Sequence, residues 1–195
     1  MPLALADQQA CCYWFTGLSG AGKSTLANHM YRELRARGIQ CVVLDGDRFR
    51  QGLNRDLGFS REDRRENVRR IAEVAAMMVD AGLVVLVSAI APYEADRQCA
   101  RDLFTDGAFF EVYVNTDLDT CAARDPKSLY ARVKAGEITH FTGWDDPYEA
   151  PTEPDFIAQT AGRDVAESAE PLVQHAVLRL QHAALMMTQV VAAQA

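Results

Sequence analysis

Gly17-Leu18-Ser19-Gly20-Ala21-Gly22-Lys23-Ser24 is the most informative run in the chain. It fits G-x-x-x-x-G-K-[ST], the pattern of a loop that cradles phosphates. Its flanks agree with that reading. Cys11 to Thr16 is an apolar run that reads as a buried strand, and Thr25-Leu26-Ala27-Asn28-His29-Met30 reads as the start of a helix. Glycines let the backbone curl so that successive N–H groups point inward, and the helix N-terminus adds partial positive charge. In such a loop Lys23 reaches the β- and γ-phosphates and the Ser24 hydroxyl ligates Mg²⁺.

Outward from the loop, apolar strand-like runs alternate with helical ones. Strands are expected at 39–44, 83–88, 109–114 and 156–160. Helices are expected at 24–37 with Gly38 as a left-handed cap, at about 61–81 with Gly82 as the stop, at 93–104, from Thr116 or Asp117 to Cys121, and at 165–191. Ser60 followed by Asp63 resembles a capping box for the second of these helices. Its buried stripe is expected to be Val68, Ile71, Ala72, Ala75, Met78 and Val79. The last helix is apolar at Ala169, Leu172, Val173, Ala176, Val177 and Leu180, then at Leu185, Met186, Met187, Val190 and Val191. No clear period marks 48–60. The alternation predicts an α/β fold: a five-stranded parallel sheet of the phosphate-loop NTPase type, helices on both faces, a lid insertion, and a single domain over 1–195.

The second strand runs into Asp45-Gly46-Asp47. Carboxylates just past the carboxyl end of a strand lie where open α/β sheets bind ligands. Asp-Gly also suits a plain turn. The third strand ends in Ser88 and lacks the aspartate of a standard metal-binding strand, which shifts the metal-side carboxylate role to Asp45 and Asp47. Arg61, Arg64, Arg65, Arg69 and Arg70 crowd one helix among Glu62, Asp63 and Glu66. Most read as a solvated face with i,i+4 pairs, but arginines near a nucleotide site can also grip a second anion. Between about 124 and 151 apolar residues thin out while charge, glycine and proline rise, as in a lid. Its aromatics read as exposed and able to stack on a base.

The 195 residues, 49% of them apolar, suffice for one core. A net charge of −7 argues against general nucleic-acid binding. No run is apolar and long enough to span a membrane, and the N-terminus has no basic leader. Five cysteines without C-x-x-C indicate neither a zinc site nor a disulfide framework, and a reducing cytoplasm is the simplest compartment.

With the lid read, the chain resembles the adenylylsulfate kinase (APS kinase) family. The resemblance rests on Phe15 through Thr25, Leu44-Asp45-Gly46-Asp47, Gly52 to Ser60, Arg64 to Arg70, Ser88 to Tyr93, Arg124-Asp125-Pro126-Lys127 and Phe141 to Pro151. It implies transfer of the ATP γ-phosphoryl group to the 3′-hydroxyl of adenosine 5′-phosphosulfate (APS), with Mg²⁺, giving PAPS and ADP. By position it assigns Arg50, Arg64 and Asn67 to the phosphosulfate end, and Phe59 and Phe141 to the two faces of the substrate adenine. Ile90, Leu129 and Lys127 join that acceptor site, with Asp47. Asp47 falls by the acceptor hydroxyl and the Mg²⁺ shell with Ser24, and Asp45 beside it. Gly17, Leu18, Ser19, Gly20, Ala21, Gly22, Lys23, Ser24 and Thr25 take the ATP phosphates, with Arg124 and Lys127 in the lid near ATP. A homodimer, and a functional association with ATP sulfurylase, are implied by the same resemblance. The sequence also departs from the family's pattern: Ala91 replaces a common serine discussed as a phosphoenzyme site, Glu94 and Lys134 replace common arginines, and Ser128 replaces a glycine. Alanine cannot carry phosphate, so transfer is expected to be direct.

Overall fold

The computed structural model describes residues 10–193, and the side chains of 10–180. Five parallel strands form one sheet in the order β2-β3-β1-β4-β5. They are β1 (Cys12–Thr16), β2 (Cys41–Asp45), β3 (Val84–Ser88), β4 (Phe109–Asn115) and β5 (Phe156–Gln159). Seven helices connect or flank them: α1 (Lys23–Ala36), α2 (Gly46–Gln51), α3 (Arg61–Asp80), α4 (Glu94–Arg101), α5 (Leu118–Arg124), α6 (Leu129–Lys134) and α7 (Val165–Ala193). The expected α/β architecture is therefore present.

Alternation along β1 sorts the two layers. Tyr13 and Phe15 point into a core shared with Leu26, Met30 and Leu34 of α1 and Leu172 and Val173 of α7. Cys12 and Trp14 point the other way, onto Val68, Ile71, Ala72 and Ala75 of α3. Those four α3 positions are buried as expected, while Met78 and Val79 are only partly covered. On α7, Ala169, Leu172, Val173, Ala176 and Leu180 are buried and Val177 is partly so. The side chains of Leu185, Met186, Met187, Val190 and Val191 lie outside the described residues. A hydrogen bond of 2.8 Å between the Tyr13 hydroxyl and His175 Nδ1 fastens α7 to the sheet. Cys11, Cys12, Cys41 and Cys121 are free and buried, and burial pushes the Cys11 and Cys41 thiols up to about 11. They behave as small hydrophobes.

Two local expectations change. Residues 46–51, without a readable period, form helix α2. Asp45 caps it by accepting the Asp47 N–H at 2.9 Å, and six residues are too few to display a period. The lid carries a helix of its own, α6, and its aromatics are mostly covered rather than exposed. Phe141 packs edge-on against Tyr130 with ring centroids 4.9 Å apart, and Tyr148 stacks on Tyr113. Of Phe141, Trp144 and Tyr148, only Trp144 is exposed. The expected caps hold: Ser60 Oγ accepts the Asp63 N–H at 3.1 Å, and Asp117 Oδ1 accepts the Thr120 N–H at 2.7 Å. The helix that Asp117 starts runs past Cys121 to Arg124, whereas the helix after Tyr93 stops early, at Arg101.

The lid stores backbone strain. Asp125, Ser128 and His140 all have positive φ, at 23°, 55° and 57°. Ser128, which by the resemblance takes the place of a glycine, has the left-handed backbone that glycine would adopt at no steric cost. Ser128→Gly is expected to raise stability by about 0.5–1 kcal/mol in urea unfolding, since relieved strain outweighs the extra freedom of the unfolded chain.

Candidate active site

The register of the sheet builds the site. Phe15 and Asp45 both lie opposite Ser88, so the ends of β1, β2 and β3 align at one carboxyl edge. The phosphate loop springs from that edge. Gly17, Gly20 and Gly22 adopt φ of 143°, 78° and 107°. A Cβ on Gly17 would lie 2.6 Å from the Val114 carbonyl oxygen, and one on Gly20 would lie 2.9 Å from that of Cys121. Larger residues are therefore shut out by both shape and backbone conformation.

Inside the loop, Lys23 is 9% exposed and its ammonium donates to the Gly17 and Leu18 carbonyls at 2.9 and 2.8 Å. Burial, and then the charge of Lys127, push its pKa down to about 8. Next to it, Ser24 Oγ donates to Asp45 Oδ2 at 2.6 Å and lies 2.9 Å from Ser88 Oγ. Asp47 reaches in another direction: its carboxylate pairs with Lys127 of the lid across the site.

Two cavities open here. The larger, about 740 Å³, is lined by Ser19, Asp47, Arg50, Phe59, Arg64 and Asn67, among others. Ile90, Lys127, Leu129 and Phe141 complete the set anticipated for the acceptor. The smaller, about 340 Å³, lies on the other side of the loop against Gly22, Ser24, Thr25 and Arg124. Gly20 and Lys23 line both. Gly17, Leu18 and Ala21 face neither cavity: the first two supply carbonyls to Lys23, and Ala21 is fully buried.

In the larger cavity Phe59 is 59% exposed, and Arg50 holds its guanidinium 4.4 Å from the centre of that ring. Arg50 Nη1 also donates to the Gly58 carbonyl at 2.7 Å. Arg64, 7% exposed, donates from Nε to the Phe59 carbonyl at 3.0 Å and from Nη2 to the His140 carbonyl at 2.6 Å, and it faces Asp146 at 3.4 Å. It thereby ties α3 to the lid. Burial pulls both arginines' pKa values below their ordinary range, and for Arg50 the charge of Arg64 adds to this. Of the other helix arginines, Arg69 pairs with Glu66 and Glu73, Arg70 with Glu66 and Asp56, and Arg65 with Asp96 at 4.0 Å, while Arg61 lies 4.2 Å from the centre of the Tyr93 ring.

Some site residues were not anticipated. Asn54, fully buried, donates from Nδ2 to Asn67 Oδ1 at 3.0 Å, which leaves the Asn67 NH₂ for a ligand. Pro126, Thr160 and Arg163 line the smaller cavity. Arg124 Nη2 donates to the Thr160 carbonyl at 2.8 Å, drawing the end of β5 toward the loop. The position of Thr160, just past a strand's carboxyl end, was a readable signal.

Fold and site define a phosphate-loop α/β protein with a nucleotide-sized cavity on each side of the loop. The model of the family described as adenylylsulphate kinase matches residues 9–159, and the chain belongs to that family. A probable adenylyl-sulfate kinase of Bacillus subtilis (strain 168) is 50% identical over 170 residues, covering 87% of this chain and 85% of the relative. The bifunctional enzyme NodQ of Rhizobium sp. (strain N33) is 54% identical over 168 residues, 86% of this chain, but the match spans only 26% of that longer protein. Among solved structures, the Mycobacterium tuberculosis APS kinase CysC in complex with AMPPNP and APS superposes with a TM-score of 0.82 at 48% identity, covering 86% of this chain and 97% of that one.

Proposed function

We propose that this chain phosphorylates the 3′-hydroxyl of APS with ATP, giving PAPS and ADP by direct in-line transfer. The observation that carries this is the pair of cavities meeting at Lys23, with Asp47 on the acceptor side. Family membership supplies the identity of the two nucleotides. Phosphoryl transfer needs positioning and charge neutralisation more than covalent help.

In this reading the donor's phosphates displace the carbonyls of Gly17 and Leu18 from Lys23, and its nucleoside lies by Arg124, Thr160 and Arg163. Ser24, Asp45 and Ser88 present hard oxygen donors close together, which suits Mg²⁺, with Asp47 nearby. Ser24 and Asp47 would hold the ion, which would supply charge neutralisation for the transferring phosphoryl group. Lys127 leaves Asp47, whose carboxylate then orients the acceptor hydroxyl and takes its proton late. Arg50, Arg64 and the Asn67 amide hold the phosphosulfate. Phe59 supplies an open ring face for adenine, and Phe141 a covered one. Ala91 offers no hydroxyl for a phosphoenzyme.

A mass-spectrometric assay with Mg-ATP and APS tests the reaction: PAPS is expected, and its absence with ATP still bound overturns the reading. Phe59→Ala is expected to raise the acceptor KM about tenfold and leave that of ATP within twofold, since stacking on one base is worth about 1–3 kcal/mol. Equal effects on both would remove the stacking role. For Phe141, leucine is the better probe, because alanine would open a cavity against Tyr130. Among the described residues no helix is long and apolar enough to cross a membrane. Free buried thiols suit a reducing cytoplasm, and family membership supports a homodimer and a working association with ATP sulfurylase as parts of the same proposal.

A further inference from the structure

The residues Tyr148 and Glu149 end the lid, and the roles assigned above give them nothing to do. Their contacts converge on the turn after β3. The Glu149 N–H donates to the Pro92 carbonyl at 2.8 Å. Glu149 Oε2 accepts the Glu94 N–H at 2.7 Å, an orphan donor at the start of α4, where Tyr93 provides no side-chain cap. Thr152 Oγ1 donates to Glu94 Oε1 at 3.2 Å. Thr16 Oγ1 donates to the Ile90 carbonyl at 2.6 Å, so its 3.0 Å contact with Tyr148 is donated by the tyrosine.

The turn so gripped cannot hold itself. Pro92 has no N–H to give. Ala91 sits at φ 44°, a left-handed conformation that a non-glycine residue keeps only when its surroundings fix it. Ile90 and Ala91 form one wall of the larger cavity. Arg97 Nη1 donates to the Ala91 carbonyl at 2.9 Å from one side, and Glu149 brackets Pro92 and Glu94 from the other.

We propose that Glu149 is a positioning residue for the acceptor: it ties the lid's carboxyl end to the 89–94 turn and so sets the Ile90–Ala91 wall. This rests on the larger cavity being the acceptor's. A mere helix cap would affect stability alone, whereas a positioning residue also separates the two substrates.

The test compares Glu149→Ala and Glu149→Gln with the unaltered chain, reading KM for APS and for ATP, together with amide hydrogen exchange of 89–94 without ligands. Loss of one charge-assisted backbone hydrogen bond is expected to raise the APS KM about 5–10-fold in the alanine variant, with the ATP KM within twofold. Exchange across 89–94 is expected to quicken about tenfold. Glutamine, whose Oε1 accepts the same N–H, is expected to restore both. An APS KM within twofold of the unaltered chain, equal rises for both substrates, or glutamine failing as alanine does, each overturns the proposal. Should the unaltered chain not phosphorylate APS, the reaction reading fails by itself. Exchange then decides the positioning role: quickened exchange, rescued by glutamine, upholds it, and unchanged exchange ends it.

Discussion

Lys23→Met is expected to lower kcat about a thousandfold while making the ligand-free protein more stable at neutral pH. The activity loss follows from removing a preorganised cation at the point where the two cavities meet. The stability gain follows from burial. Lysine titrates at 10.5 in the unfolded reference and near 8 in the fold. Between those values the unfolded chain holds the extra proton, so stability rises with pH, and below about 8 the whole penalty is present. That penalty is on the order of 3 kcal/mol. Against it stand the two hydrogen bonds to Gly17 and Leu18, each worth about 1 kcal/mol. The net gain at pH 7 is therefore about 1–2 kcal/mol, shrinking toward pH 10. Urea unfolding at pH 7 and pH 10 checks it. Calorimetry in buffers of different ionisation enthalpy offers a second readout. Near pH 8 the unaltered chain should take up a fraction of a proton when nucleotide binds, and the methionine variant should not. A methionine variant as active as the parent, or less stable at pH 7 than at pH 10 relative to the parent, contradicts the account.

Arg97→Met is expected to cost about 3–5 kcal/mol of folding stability, because it strands the Glu111 carboxylate, whose side chain is 12% exposed. Arg97 is 2% exposed, and its Nε donates to Glu111 Oε1 at 2.6 Å. Without it, Glu111 keeps only Arg101 among the described residues, at 4.0 Å. The Ala91 carbonyl loses its donor as well. A partial offset comes from Arg97 Nη2, which has no partner among the described residues, so methionine relieves that burden. Thermal unfolding should shift down by about 8–15 °C. The double variant Arg97→Met/Glu111→Leu should recover most of the loss, since an apolar pair of similar volume replaces an ion pair with little net change. A single-variant loss under about 1 kcal/mol would mean that the pair is solvated.

Legibility followed the reach of the forces involved. The parallel sheet could be read because β1 and β3 are buried on both faces and appear as unbroken apolar runs. The glycine loop could be read because its constraint is local to the backbone. Helix α2 could not, since its start depends on Asp45 accepting one N–H and its length hides any period. Phe141 and Tyr148 were expected in the open because their neighbours in sequence are polar, but their packing partners, Tyr130 and Tyr113, come from α6 and β4. Asn54 went unread for the same reason: its partner Asn67 sits on another element. The family resemblance assigns Arg64 to an anion, yet its spatial neighbours His140 and Asp146 also make it a strut between α3 and the lid.

The phosphate loop separates the two cavities as a party wall, with Gly20 and Lys23 as its common bricks. In the proposed reaction each nucleotide thus has its own door. One substrate need not depart before the other arrives, and no side-chain hydroxyl at Ala91 can hold the phosphoryl group between visits. Initial-rate plots with both nucleotides varied should accordingly give intersecting lines, the mark of a complex holding donor and acceptor at once, rather than the parallel lines of a shuttle.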